Sequence, residues 1–284
     1  MKIVLAGATG AVGRPLVPML MEAGHEVTAF TRDPAKADEL RRLGARAAVV
    51  DVFDRDAVFA AVREARPEAV IHQLTSLAER NFADNTRIRT YGTRHLVDAS
   101  LAAGVRRMVA QSISWAYAPG EGPAREEEPL DLDAPAPRSG TIRGVRALET
   151  AALDMPEAVV LRYGLFYGAG TWYAADGFVA EQVRRGELPA TDGVSSFVHV
   201  DDAARAALLA LDWPPGAVNV VDDEPAPGRE WLPYYAELLG APAPRLEPGS
   251  ARGERGADNG KAKRLGWRPV WTSWREGFRR TLRR

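Results

Sequence analysis

The sequence predicts an α/β protein: a doubly wound parallel sheet followed by a smaller C-terminal substrate-binding region. Three observations carry that expectation. Short apolar runs alternate with amphipathic segments through residue 110, the links between them are brief, and a glycine or proline marks most of the changes. The length of 284 residues allows one or two domains, and the apolar and charged fractions of 46% and 26% are those of an ordinary globular chain.

Taken in order, Lys2–Ala6 reads as a buried parallel strand, and a glycine turn leads into a helix that runs to about Ala23 and is closed by Gly24. Glu26–Phe30 is the second strand, Pro34–Leu43 a helix ended by Gly44, Ala47–Val50 the third strand and Arg55–Ala65 a further helix. Ala69–His72 is the fourth strand, Arg87–Ala103 a long helix closed by Gly104, and Arg107–Gln111 the fifth strand. Residues 118–140 are rich in proline, glycine and acid, a loop long enough to be functional or mobile. A helix at about 141–153 and the strand Ala158–Arg162 complete a first domain over 1–162. Residues 163–284 form the smaller region, partly interleaved with the first; within it Ala241–Gly256 reads as an exposed or mobile linker. Glu126–Glu128 reads as a solvated charge run, and Asp201 and Asp202 as N-caps of a helix over Ala203–Leu211.

Composition narrows the chemistry. Without cysteine there is no disulfide, thiol nucleophile or cysteine-ligated metal. His25, His72, His95 and His199 are too far apart for a metal-ligating pair, so no metal is expected. The net charge of -1 gives no electrostatic reason to expect a nucleic acid or an anionic membrane. No apolar run reaches bilayer length and no secretory leader is apparent, which places the expected protein in the cytoplasm.

The strongest motif is Gly7-Ala8-Thr9-Gly10-Ala11-Val12-Gly13, between a strand and the helix it opens. Gly7 permits the tight turn, Gly10 lets backbone approach a pyrophosphate, and Gly13 lets the helix pack closely on the sheet. Thr9, Ala11 and Val12 place their amides at the helix N-terminus, where phosphate is favoured. This is the dinucleotide-binding turn of a Rossmann-type fold. Thr31 stands where an acid would bind the ribose 2′-hydroxyl of NAD, while Arg32, supported by Lys36, suits a 2′-phosphate. NADP(H) is therefore favoured; Asp33, read as a displaced acid, keeps NAD(H) open.

Further landmarks follow in order: Asp51-Val52, Gly92-Thr93-Arg94-His95-Leu96-Val97-Asp98-Ala99, Gly104-Val105-Arg106-Arg107-Met108-Val109, Leu161 to Gly168, Phe197-Val198-His199-Val200-Asp201-Asp202-Ala203, Asn219 to Pro225, and Asn259-Gly260-Lys261-Ala262. With the glycine turn they cover almost the whole chain. The chain resembles the short-chain dehydrogenase/reductase superfamily, and more narrowly its extended NAD-dependent epimerase/dehydratase group and atypical relatives. The resemblance implies adenine contacts at Asp51 and Val52, and cofactor contacts at Gln73, Leu74, Ser112 and Tyr163. It implies a pocket for a small carbonyl-type substrate lined by Thr75, Trp172, Tyr173, Phe197 and His199. It also implies a homodimer through the helices at about 87–103 and 141–153, a surface that Arg87, Arg89, Arg94, Arg143 and Arg146 make unusually basic.

The superfamily's usual chemistry is missing. Its Tyr-x-x-x-Lys pair supplies a proton and holds the ribose. None of the seven tyrosines is followed four residues later by lysine, and the only lysines are Lys2, Lys36, Lys261 and Lys263. Aligned on Glu149, the pair's places are taken by Thr141 and Val145, and the partner after strand five by Ile113. Three readings remain. Ser114 or Tyr117 acts as a substitute proton donor; hydride transfer needs no dedicated acid; or the chain binds NADP(H) without turnover, like the family's redox-sensor relatives. For Tyr117 a packed aromatic, and for His199 a structural hydrogen bond, are the plainer alternatives.

Overall fold

In the computed structural model, which describes residues 1–77 and 82–282, the apolar runs are strands. β1 (Lys2–Ala6), β2 (Glu26–Thr31), β3 (Arg46–Val49), β4 (Ala69–His72), β5 (Arg107–Ile113) and β6 (Glu157–Tyr163) alternate with α1 (Gly13–Glu22), α2 (Pro34–Arg42), α3 (Arg55–Ala65), α4 (Phe82–Arg87), α5 (Thr93–Ala102) and α6 (Arg138–Leu153). Beyond them lie β7 (Leu165–Tyr167), α7 (Phe178–Arg184), β8 (Val194–Ser195), β9 (Phe197–His199), α8 (Val200–Leu209), β10 (Gly216–Val220), β11 (Ala226–Pro227), α9 (Gly228–Leu238), α10 (Gly260–Arg264) and α11 (Trp274–Leu282).

Seven strands form one sheet in the order β10-β6-β5-β4-β1-β2-β3, the doubly wound Rossmann-like arrangement. The β1/β2, β1/β4, β2/β3 and β4/β5 ladders are parallel, with Ala6 opposite both Phe30 and His72. Because chain order reverses between β1 and β4, the loops after these strands diverge and leave a crevice at their C-terminal ends.

The chain divides into two units. The first comprises Met1–Ser112, Ala136–Leu161 and Ala204–Ala217. Alternate strand residues explain its core. Val4, Ala6, Val70, Met108, Ala110, Ala158 and Val160 face Val58, Val62, Leu96, Val97 and Leu148 from α3, α5 and α6. Ile3 and Leu5 point the other way yet are 1% and 0% exposed, so β1 is covered on both faces, as a central parallel strand requires.

The second unit comprises Ile113–Pro135, Arg162–Ala203 and Val218–Arg284. Its core is aromatic: Tyr167, Phe197, Trp231, Tyr235, Trp274 and Phe278 are all buried together. Phe197 meets Trp231 edge-on at 5.4 Å, and Tyr235 meets Phe278 at 4.8 Å.

Several sequence expectations change. The long helix after β4 does not begin at Arg87. It starts at Phe82 and passes through a π-helical turn, Ile88–Gly92, before α5. β10, absent from the expected strands, is the seventh strand of the sheet. Ala241–Gly256 is largely exposed but tied down rather than a free linker. Leu246 bridges Ala190, Arg255 bridges Val194, and Arg252 grips the buried Asp131 through Nε and Nη2. Nor is Glu126–Glu128 simply solvated. Glu126 accepts from the Asn219 amide at 2.8 Å, and Glu128 pairs with Arg255 at 2.6 Å. The basic helical face is partly neutralised: Arg94 pairs with Asp98 and Asp154 and Arg87 with Asp84, while Arg89 is buried at 7% exposure.

Candidate functional site

The glycine turn is built by backbone. Gly7 has φ 95°, and a Cβ there would lie 2.5 Å from the Gln73 carbonyl carbon and oxygen. A Cβ on Gly13 would lie 2.1 Å from the Gly7 oxygen, so only glycine lets α1 start this close to β1. Gly10 differs: a Cβ there meets nothing nearer than the Gly7 oxygen at 3.3 Å, so its exposed side is open to a ligand. The Gly10 amide donates to Gly7 O at 3.1 Å and closes the turn. No acidic residue stands in the first turn of α1, and Thr9 and Ala11 are partly exposed beside it. Buried Val12 and Gly13 anchor the turn.

Across the turn, Gln73 continues the β1/β4 ladder by donating to Ala6 O. Its side chain is 4% exposed, and among the described residues neither amide atom has a hydrogen-bond partner. A buried amide left unpaired costs on the order of 1–3 kcal/mol, which a ligand can recover. An open glycine cradle and an orphaned amide beside it fit a dinucleotide. Leu74 is partly buried, Thr75 exposed. Asp51 and Val52 follow β3; the Asp51 carboxylate accepts from the Phe53 amide, and Val52 lies against Gly92. At the end of β2, Thr31 is buried and its hydroxyl oxygen accepts from the Asp33 amide, while Arg32 is exposed. Asp33 is occupied as the N-cap of α2, accepting from the Ala35 amide at 2.9 Å.

At the C-terminal end of β5, Ser112 and Glu149 form a buried pair: the Ser112 hydroxyl donates to Glu149 Oε1 at 2.6 Å. Thr141 is partly buried and Val145 fully buried on the same helix. Behind them His72 has a single consistent tautomer. The Leu74 amide donates to Nδ1, so Nε2 carries the proton and donates to Thr93 Oγ1 at 2.9 Å, and Thr93 donates to Ile88 O. Burial, reinforced by the Arg89 charge, pushes the His72 pKa down to about 4.

In the second unit, residues expected to act on substrate are held internally. Tyr117 is 1% exposed; its hydroxyl donates to Asn219 Oδ1 at 2.6 Å and accepts from Arg162 at 2.8 Å. Burial pushes it up to about 12, against the opposing pull of Arg162. This is a packed structural tyrosine, and the substitute-acid role expected of it has no free hydroxyl to use. Ser114 is buried in the short 3-10 turn Ser114–Ala116. Tyr163 is fully buried and donates to Ala203 O. Phe197 is core, at 0% exposure. His199 accepts from the Asp201 amide and stacks on Trp271 at 4.5 Å, with burial lowering its pKa. Tyr173 stacks on Phe278, and Trp172 meets Phe178 edge-on.

Neither Asp201 nor Asp202 is an N-cap: both lie inside the first turn of α8, and the Asp202 carboxylate accepts from the amides of Val270 and Trp271, both at 2.9 Å. Asn219 likewise donates to Ala124 O and Asp258 O, and Asn259 to Val221 O and Asp222 O. The late sequence landmarks are thus fasteners of the second unit. Among the described residues no three His, Asp or Glu side chains gather into a metal site, and no helix is long and apolar enough to cross a membrane.

A residue the sequence reading assigned to the surface is the notable addition. Arg89 is buried beside α6, where Gly144 makes room: a Cβ there would touch Arg89 Cδ at 3.4 Å. No local signal marks it: the π turn Ile88–Gly92 breaks the 3.6-residue periodicity between Arg89 and α5.

A Rossmann-like sheet with a dinucleotide cradle at the β1–α1 turn defines a nucleotide-dependent α/β class. The family model described as the NAD-dependent epimerase/dehydratase family matches residues 3–221, and the chain belongs to that family. A 3-diazoavenalumate denitrifying reductase from Streptomyces is 46% identical over 99% of this chain and 100% of its own length. A 2-alkyl-3-oxoalkanoate reductase from Stenotrophomonas maltophilia is 31% identical over 85% of this chain and 77% of its own. The crystal structure of the UDP-glucose 4-epimerase of Thermus thermophilus complexed with NAD superposes with TM-score 0.76 at 28% identity, covering 99% of this chain and 98% of that one.

Proposed function

We propose that this protein is an NADP(H)-dependent reductase of small aromatic diazo compounds, exchanging the N2 group for hydrogen. One observation carries the reading: the dinucleotide cradle is complete, while the places of the family's proton donor and lysine hold Thr141 and Val145. Reduction of a ketone, the kind of substrate in the second relative's name, makes an alkoxide that needs a proton. Replacing the N2 of a diazonium group by hydrogen consumes hydride alone and releases N2, so no acid is required. The 46% identical relative is named for a reductive denitrification of a diazo compound.

The Gly7–Gly13 turn and Gln73 would hold the dinucleotide, with Arg32 at its 2′-phosphate; bound there, NADPH supplies hydride. The occupied Asp33 carboxylate supports NADP(H) over NAD(H). The test offers the purified protein NADPH or NADH with aromatic diazo acids, ketones, and UDP-, GDP- and dTDP-sugars. Equal amounts of N2 and oxidised cofactor are expected from the diazo acids. Robust sugar epimerisation overturns the reading, and tight NADPH binding with silence on every panel favours the sensor alternative.

We also infer a homodimer through α5 and α6. Tyr91 in the adjoining π turn, Leu101 on α5 and Leu153 on α6 are 64%, 40% and 54% exposed, and Arg87 and Arg94 are paired with acids. Light scattering at micromolar concentration is expected to give twice the chain mass; a monomer refutes it.

A further inference from the structure

We propose that Arg89 supplies, from a different helix, the fixed cation of the missing lysine, and that with the Ser112–Glu149 pair it holds the hydroxyls of the ribose nearest the nicotinamide. The proposal rests on the dinucleotide reading above and names the residues that complete that site.

Position comes first. Arg89 lies in the π turn Ile88–Gly92, and such turns are rare and concentrate at functional sites. Its side chain crosses α6 at Gly144, with Cδ 3.4 Å and Cβ 3.7 Å from where a Cβ of that glycine would be. Val145, the lysine position, is the next residue, and Glu149 lies one helical turn beyond Val145. Glu149 acts on the Arg89 guanidinium through its charge. The cation has therefore moved from α6 to the π turn while remaining beside the same stretch of helix.

Its partners are the second argument. Arg89 is 7% exposed, and burial pulls its pKa down to about 10 against the charge of Glu149. A buried charge is costly, and a ligand with hydroxyl oxygens would add hydrogen bonds to it. Guanidinium N–H groups donate to hydroxyl oxygens; a carboxylate accepts hydroxyl protons. Glu149 is held for that task by Ser112 at 2.6 Å. Guanidinium donors and a carboxylate acceptor beside the same stretch of α6 suit a vicinal diol.

The mounting is the third argument. The bonds from Leu74 to His72, from His72 to Thr93 and from Thr93 to Ile88 O run in one direction and end on the first residue of the π turn. They tie that turn to the C-terminal end of β4, next to Gln73 and the Gly7 turn. Arg89 is thus anchored to the C-terminal end of the sheet, which carries the dinucleotide cradle. Arginine does not release a proton at neutral pH. The site regains a cation for binding without regaining an acid.

The test is calorimetry on the full-length chain with two ligands. One is the tighter-bound of NADP+ and NAD+; the other is its adenosine half alone, adenosine 2′,5′-bisphosphate or ADP. Arg89→Gln is expected to weaken the dinucleotide about 10-fold or more while the adenosine half stays within about twofold. Arg89→Lys, which keeps the charge but not the planar fork, is expected to lose less than Arg89→Gln with the same selectivity. Restoring lysine in the double variant Arg89→Gln/Val145→Lys is expected to recover dinucleotide affinity, which a packing role would not produce. Unchanged dinucleotide affinity, or equal loss for both ligands, overturns the proposal. Should Arg89→Gln fail to fold, Arg89→Lys decides by the same criterion: selective loss supports the proposal, equal or no loss refutes it. Absence of dinucleotide binding in the parent removes the underlying reading and the proposal together.

Discussion

The two ends of the site in the first unit are built on different principles. At the β1–α1 turn, recognition is a property of the main chain: Gly7 and Gly13 are fixed by contacts that no side chain would survive. At the Ser112–α6 end it is a property of side chains, and there the chain has no Tyr-x-x-x-Lys pair. Backbone-built sites resist substitution, because changing them requires changing the fold. Side-chain sites can change chemistry one residue at a time. This chain keeps the first and has altered the second.

The sharpest way to break that comparison is Gly10→Val. Its Cβ would lie a tight 3.3 Å from Gly7 O, so the turn must give by a few tenths of an ångström, while the branches block the approach of phosphate. Dinucleotide affinity is expected to fall by about 100-fold or more in the folded variant. An undiminished affinity in a folded variant would remove the cradle from the argument.

His72 tests the side-chain end. Its folded pKa of about 4 lies below the unfolded value of 6.5, so between these the unfolded chain binds the extra proton. The stabilisation is fully present above pH 6.5 and is lost as pH falls to about 4. The difference amounts to roughly 3 kcal/mol. Urea unfolding across this range should show a steeper acid loss for the parent than for His72→Gln; parallel curves would exclude the assignment.

Arg32→Ala sharpens the cofactor question. A charge-assisted bond to the 2′-phosphate contributes on the order of 1.5–3 kcal/mol. Calorimetry should show NADP+ weakened accordingly and NAD+ unchanged. Equal parent affinities for the two would end the preference.

The smallest effect is expected at Tyr117. With its hydroxyl spent on Asn219 and Arg162, Tyr117→Phe should lower stability by about 1 kcal/mol and leave turnover within about twofold. A collapse of turnover at unchanged stability would return Tyr117 to the chemistry.

The same contrast explains what could be read from residues alone. The glycine turn was legible because its signal is local: strand, three spaced glycines, helix. Most elements up to β6 were legible for the same reason. β10 was not, since its place in the sheet depends on a partner strand about fifty residues earlier. Asp202, Asn219 and Asn259 stood out as landmarks, but their work as fasteners of distant backbone segments has no local signature. Arg89 read as surface charge because arginine usually is. Its burial depends on an irregular turn and on a glycine in another helix, neither of which hydropathy records.

The π turn has a consequence for design. A π turn is an α-helix carrying one residue too many, and removing that residue restores the regular ladder. Shortening Ile88–Gly92 by one residue is therefore a change the helix itself accommodates, while Thr93 would lose the Ile88 carbonyl that its hydroxyl reaches across five residues. The length of the turn, and not only its side chains, is open to engineering.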